Sequence, residues 1–155
     1  MKNFQQKSVE DHQVERKLIA PPVTQYMVKK LISFKADTPI SEVIDTLLKN
    51  RITGAPVLNE RGEVVGLIDD KDCLNVLVGG FYYNRPAADG TVATYMSNVM
   101  KTISIHANIV EVANIFLTTP YKRLLVMDDN GKLAGQISRR DILRAIQDLK
   151  ITTVV

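Results

Sequence analysis

The chain has 155 residues, 45% of them hydrophobic and 24% charged, a composition typical of one globular domain or two small ones. No apolar run approaches the roughly 18 residues that cross a bilayer, and the polar N-terminal segment carries no hydrophobic signal core. A single cysteine, Cys73, cannot form an internal disulfide, so a reducing, cytoplasmic location is expected.

The net charge is a small positive excess. Twenty basic residues stand against 17 acidic ones, for a formal charge of +3, and the basic side chains form short pairs instead of one run. Binding along a nucleic-acid backbone requires a broad basic face. Nucleic acid and membranes are therefore not expected as partners, and the short pairs suit a small anionic ligand better.

An internal repeat organises the chain. Tyr26 and the methionine after it recur as Tyr95 and its methionine, 69 positions later, and at that offset residues 23–77 align with residues 92–146 without a gap. The repeat divides the chain into four parts. They are a helical extension over residues 1–19, a first unit over 20–78, a linker over 79–91 and a second unit over 92–150.

Both units predict the same elements. Apolar residues at positions i, i+3, i+4, i+7 and i+8 predict an amphipathic helix. They are Ile40, Val43, Ile44, Leu47 and Leu48 in the first copy and Ile109, Val112, Ala113, Phe116 and Leu117 in the second. Two short apolar runs around a turn with Gly62 or Gly131 then predict a β-hairpin. A second helix follows, ending near Leu77 or Leu149. With a short extended piece ahead of the first helix, each unit is β-α-β-β-α.

The size of one unit favours pairing. A core built from about 55 residues is marginal by itself, so two units packed through their sheets are expected to share one. The helical stripes exceed what one hairpin covers, which favours a homodimer. Aromatic residues in the linker are expected to pack against the body; they are Phe81, Tyr82 and Tyr83.

Short motifs recur in the same order in both copies: Tyr-Met, then Ile-x-Glu-Val, then Gly-x-x-x-Gly-x-Ile followed by Asp72 or Asp141. Over residues 23–148 this pattern resembles a tandem pair of CBS (cystathionine-β-synthase) domains. The resemblance implies an α+β fold in which two β-α-β-β-α units, related by pseudo-twofold symmetry, form two clefts. It also implies a regulatory module that binds AMP, ADP, ATP or an S-adenosyl compound and passes its output to an unidentified partner protein.

The family's ligand signature is Ser/Thr-x-x-Asp at the start of the last helix, and the segment Ser138-Arg139-Arg140-Asp141 matches it. A helix N-terminus favours phosphate, to which a hydroxyl and guanidinium groups could donate. The resemblance implies that Asp141 holds the ribose hydroxyls. Alternatively, Ser138 and Asp141 form a capping pair and the arginines are simply solvated. Both interpretations stay open at this point.

The resemblance also implies a purine slot. Thr53 would read the adenine edge through its backbone, and Ile52 and Ile32 would enclose the ring, with Ala55 and Met27 nearby. These residues suit ordinary core packing equally well.

A second, weaker cleft is expected around the equivalent first-copy segment. There Asp69 replaces the signature Ser/Thr, and further carboxylates repel phosphate. Asp72 could still hold a ribose, with Tyr121 and Lys122 as the opposite wall.

Catalytic motifs are absent from the sequence. The histidines His12 and His106 do not stand at metal-ligand spacing with Cys73, which lies in an apolar helical context. We therefore expect neither an enzyme nor a metal site. The alternative to ligand sensing is a ligand-free module for oligomerisation or protein interaction.

Overall fold

The computed structural model describes residues 19–82 and 90–153, with only the backbone described for residues 150–153. The predicted N-terminal helical extension lies outside the described residues except for Ile19, as do linker residues 83–89, which include Tyr83.

The elements follow the predicted order in both copies. After a 3-10 turn at Val23–Gln25, the first copy comprises α1 (Ile40–Asn50), β1 (Gly54–Leu58), β2 (Val64–Asp69) and α2 (Asp70–Tyr82). The second copy comprises α3 (Val92–Tyr95), β3 (Thr102–Ser104), α4 (Ile109–Thr118), β4 (Arg123–Met127), β5 (Leu133–Ser138) and α5 (Arg139–Thr153).

The sheets confirm the β-α-β-β-α unit. β1 pairs antiparallel with β2, and β4 pairs antiparallel with β5. β3 adds a parallel strand beside β4, and in the first copy this strand is reduced to a parallel bridge between Phe34 and Val57. The hairpin turns place Gly62 and Gly131 at φ values of 77° and 75°, a conformation that favours glycine.

The two copies exchange the segments that lead into them. Val28, in the leading segment of the first unit, pairs antiparallel with Gln136 in β5, and both backbone hydrogen bonds of this pair form. Ser97 pairs in the same way with Leu67 in β2. Because these two pairs are related by the repeat offset, the exchange follows the pseudo-twofold symmetry of the fold.

Each hydrophobic core is closed by a residue of the other copy. Val23 is fully buried among second-copy residues, and Val92 is fully buried among first-copy residues. Complete burial of a valine contributes about 1.5–3 kcal/mol. Neither copy therefore has a complete core of its own.

The second helix of the first copy differs from the expectation. It continues to Tyr82, beyond the predicted end near Leu77, so Phe81 and Tyr82 are helical. Their exposed fractions are 81% and 82%, so the prediction that they pack against the body is wrong. Within residues 19–82 and 90–153, the helices are too short or too polar to span a membrane.

Candidate functional site

A cavity of about 590 Å³ opens between the two copies, where the beginning of β1 faces the junction of β5 and α5. The exchanged leading segment of the first unit forms a third wall. The apolar and backbone lining of the cavity includes Val28, Leu31, Ile32, Ile52, Gly54 and Pro56.

The structure brings most of the predicted nucleotide-binding residues to this cavity. The lining includes Ser138, Arg140 and Asp141 from the signature segment. It also includes Ile32, Ile52 and Thr53, the residues predicted to form the purine slot. They come from different copies and meet because the repeats pack face to face.

Three predicted residues do not line the cavity. Ala55 stands between two lining residues of β1. Because successive side chains in a strand point to opposite faces, Ala55 faces the first-copy core, where it is 1% exposed. Met27 packs against the second-copy core. Arg139 is exposed to solvent. It lies off the face of α5 that carries Arg140 and the lining residue one turn later.

Asp141 is the buried polar group of the site, with 4% of its surface exposed. Its Oδ2 accepts hydrogen bonds from the backbone N–H of Ser138 at 2.8 Å and from the Ser138 hydroxyl at 3.1 Å. Its Oδ1 accepts from the Arg144 guanidinium. The two contacts with Ser138 are those of the capping interpretation. Because a carboxylate offers about four acceptor positions, one on Oδ1 is left for a ligand.

The equivalent first-copy residues form a reciprocal capping box. The N–H of Asp69 donates to Asp72 Oδ2 at 3.0 Å, and the N–H of Asp72 donates to Asp69 Oδ1 at 2.8 Å. Burial raises the pKa of Asp72, and the charges of Asp69 and Asp70 raise it further, against a lowering by the backbone hydrogen bond. Carboxylates crowd this helix start and leave it unsuited to phosphate.

Of the residues predicted for the second cleft, Tyr121 packs against the second-copy core, and Lys122 lines the main cavity. At the repeat offset these two positions are equivalent to Ile52 and Thr53, which line the cavity that contains Asp141. Lys122 is therefore a lining residue of the main cavity, and the grouping of Tyr121 and Lys122 with Asp72 stays a prediction.

The cavity contains a set of cations that was only partly foreseen. Six basic side chains line it against the single carboxylate of Asp141: Lys30, Arg51, Lys122, Arg123, Arg140 and Arg144. Arg144 lies one helical turn after Asp141, so the i, i+3 spacing could have revealed it. Lys30 and Arg51 come from the other copy, and no sequence pattern pointed to them.

Two further polar contacts belong to the cavity. Arg123 Nη2 donates to the Thr53 hydroxyl at 2.7 Å. This hydrogen bond joins β4 to the residue that immediately precedes β1. The side-chain oxygen of Gln136 is buried and accepts no hydrogen bond from the described part of the chain. Because a buried, unpaired acceptor is costly, Gln136 suits a ligand that donates a hydrogen bond.

Cys73 does not have the properties of a nucleophile. Burial and the neighbouring carboxylates raise the pKa of its thiol to about 11, so the reactive thiolate is scarce at neutral pH. Among the residues that the structure describes, no group of three or more His, Cys, Asp or Glu side chains could hold a metal ion.

The sequence model of the CBS domain matches residues 23–79 and 92–148. The chloroplastic CBS domain-containing protein CBSX1 of Arabidopsis thaliana is 32% identical over 153 residues, which cover 83% of this chain and 65% of the plant protein. This chain thus spans slightly less than two thirds of that relative's length.

Solved structures share the fold. A crystal structure of CBSX2 in complex with AMP superposes with a TM-score of 0.73 at 26% identity, covering 84% of this chain and 98% of that one. The CBS domain of a bacterial CNNM/CorC family Mg²⁺ transporter in complex with ATP gives a TM-score of 0.69 at 18% identity, covering 81% and 87%. Together with the matched segments, these similarities show that the chain belongs to the CBS domain family and carries two such domains in tandem.

Proposed function

We propose that this chain is a regulatory module that binds an adenine nucleotide in the cavity between its two CBS domains. The observation that carries the proposal is the convergence of a helix N-terminus, a buried carboxylate and an apolar slot on one cavity. The fold is shared with CBSX2, which has been crystallised with AMP.

Each part of the cavity suits one part of a nucleotide. The start of α5 and the Arg140 guanidinium offer donors to phosphate oxygens. The free acceptor position of Asp141 suits a ribose hydroxyl, and the apolar side chains of Ile32 and Ile52 suit the faces of the base. An S-adenosyl compound is a poorer candidate, because its sulfonium group is cationic and the cavity already holds an excess of cations.

The module is proposed to act as a sensor and not as an enzyme. Cys73 lies outside the cavity lining and is held as a thiol. The module would signal nucleotide binding to a partner protein, in the cytoplasm.

Nucleotide titration with two matched variants tests this function. We expect AMP to raise the melting temperature, because a ligand that binds only the native state stabilises it, by about 2.7 kcal/mol at 100 times Kd. Arg140→Gln should weaken AMP about tenfold or more and leave adenosine unchanged. Arg139→Gln removes the same charge outside the cavity and should change neither. If AMP, ADP and ATP all fail to bind or stabilise the protein, the proposal is wrong.

A second candidate function is assembly, and it rests on a different surface. Large apolar side chains are exposed at equivalent positions of the last helix of each copy: Leu74 and Leu77 on α2, Leu143 and Ile146 on α5. Phe81, further along α2, extends the patch. Because the patch is repeated by the pseudo-twofold symmetry, a second copy of this chain is its proposed occupant, giving a homodimer.

A further inference from the structure

The cations of the cavity outnumber what a single phosphate group requires. Within the described ranges, Arg144 forms an ion pair with Asp141, but Lys30, Arg51, Lys122 and Arg140 form none. Like charges gathered around one cavity repel each other, so the empty site is electrostatically unfavourable. A ligand relieves this repulsion in proportion to the negative charge that it brings.

Three of the cations are specific to this cavity. At the repeat offset, the positions of Lys30, Arg51 and Arg144 are taken by Val99, Pro120 and Asn75. The pseudo-twofold symmetry of the fold therefore does not extend to these charges. A general need for surface solubility would not place them on one side of the symmetry axis only.

The unpaired cations also come from both copies. Lys30 and Arg51 belong to the first, and Lys122 and Arg140 to the second. One phosphate group at the start of α5 can be served by Arg140 and the helix N-terminus. Lys30 and Arg51 approach the same cavity from the opposite copy, where further phosphate oxygens could accept from them.

We infer that this site selects adenosine polyphosphates, ADP and above all ATP, over AMP. The inference rests on the proposed function, since it assumes that an adenine nucleotide occupies the cavity. AMP brings a phosphate with about two negative charges, and each added phosphoryl group brings more charge and more acceptor oxygens. ATP can thus contact cations of both copies and link them through one ligand.

Comparative titration tests the selectivity. We expect ATP to bind about tenfold or more tightly than AMP in magnesium-free buffer, with ADP between them and adenosine weakest. The unpaired cations are exposed, so salt screens them, and raising ionic strength from about 0.05 to 0.2 M should weaken ATP more than AMP.

Matched variants assign the effect to the cations. Lys30→Gln and Arg51→Gln should each reduce ATP affinity several-fold and leave AMP affinity nearly unchanged. Lys29→Gln and Lys49→Gln remove the same charge from neighbouring exposed positions outside the cavity lining, and should change neither affinity.

The outcomes distinguish the selectivity for polyphosphates from nucleotide binding itself. If AMP binds as tightly as ATP, or if Lys29→Gln weakens ATP as much as Lys30→Gln, polyphosphate selection is refuted while the nucleotide site survives. If none of the nucleotides binds, the proposed function fails and the selectivity fails with it.

Discussion

Arg123 lies directly over Gly54, which is the equivalent residue in the first copy of the repeat. A Cβ added to Gly54 would lie 2.9 Å from Arg123 Cζ and would contact its Nη1. The guanidinium thus fills the space that a side chain at residue 54 would need, and from there it donates to the Thr53 hydroxyl. This contact lies in the lining of the cavity between the two copies.

Gly54→Ala should therefore displace the Arg123 guanidinium and break its hydrogen bond to Thr53. The added methyl also approaches Asp69 Cβ on the paired strand, at 2.9 Å. We expect a loss of stability of about 1–3 kcal/mol, measured by urea denaturation. In an Arg123→Ala background the same change should cost less, because one of the two clashes is gone. Strictly additive effects would contradict the contact.

Asp141 and Asp72 hold equivalent positions but should respond differently to the same substitution. Asp141→Asn removes the charge that pairs with Arg144 and is expected to cost about 1–3 kcal/mol of stability and one to two decades of nucleotide affinity. Asp72→Asn keeps an acceptor for the Asp69 N–H and relieves a crowded carboxylate cluster, so stability at pH 7 should not fall. Melting temperatures of both variants with and without AMP decide this. If the nucleotide affinity of Asp141→Asn is unchanged, Asp141 acts only as a helix cap.

The pH dependence of Asp72→Asn gives an independent check. Folding raises the pKa of Asp72 above its usual 3.8, mainly because burial disfavours the charge. The folded state therefore binds the proton more tightly than the unfolded state. The contribution of this group to stability is full below pH 3.8 and is lost as pH rises through the raised pKa. As the pH rises from 3.8 through the raised pKa, the stability of Asp72→Asn relative to the wild type should therefore increase. Above the raised pKa this difference should stay constant.

Arg51 combines an unfavourable backbone with a useful side chain. It ends α1 with φ at 53°, where its N–H and that of Ile52 bond back to Leu48 and Leu47 in the arrangement that usually carries glycine. Arg51→Gly should raise stability by about 0.5–1 kcal/mol by relieving the left-handed strain. It should also weaken ATP, because a cavity cation is lost. A variant that is more stable and binds ATP normally would exclude Arg51 from the site.

Gln136 offers a test of ligand recognition from inside the fold. Its equivalent in the first copy is Leu67, so Gln136→Leu installs a side chain that the same strand position already accepts. Removing a buried acceptor without a partner should raise the stability of the free protein by about 1 kcal/mol. If a ligand donates to this oxygen, adenine nucleotides should bind more weakly. Thermal melts with and without ATP measure both effects, and unchanged affinity would exclude the contact.

Leu143→Glu tests the proposed homodimer. The side chain of Leu143 is 64% exposed in the chain alone, so the change should be tolerated by the fold yet place a charge in the apolar patch. We expect a dimer for the wild type and a monomer for the variant in sedimentation at tens of micromolar. Val99→Glu, at an exposed valine that belongs to neither α2 nor α5, is the control and should stay dimeric. A monomeric wild type would remove this proposal.

Local elements were predictable because periodicity and turn residues are local. The stripe from Ile40 to Leu48 and the glycine turns predicted α1 and both hairpins. The exchange of leading segments could not be predicted. The repeat aligns Val28 with Ser97. This alignment is the same whether each of these residues pairs with a strand of its own unit or with a strand of the other unit. Only packing in three dimensions distinguishes these arrangements.

The site was predictable where one segment carries it. Ser138, Arg140 and Asp141 lie within one helical turn and share the cavity. Cations that approach from the first copy were missed, because nothing in the sequence brings Lys30 or Arg51 close to Asp141. Ala55 was misplaced since adjacent strand residues face opposite ways, and sequence alone did not fix which one faced the cavity.

The closure of each core by a residue of the other copy, Val23 in one and Val92 in the other, has a further consequence. A chain with a single repeat could reach this arrangement by exchanging arms between two identical molecules, but its folding would then depend on concentration. Joining the copies in one polypeptide makes the exchange intramolecular. It also frees the two halves to differ. Two identical halves would set arginine against arginine or glycine against glycine at the axis, whereas the fused chain sets Arg123 against Gly54 and can hold cations on one side and carboxylates on the other.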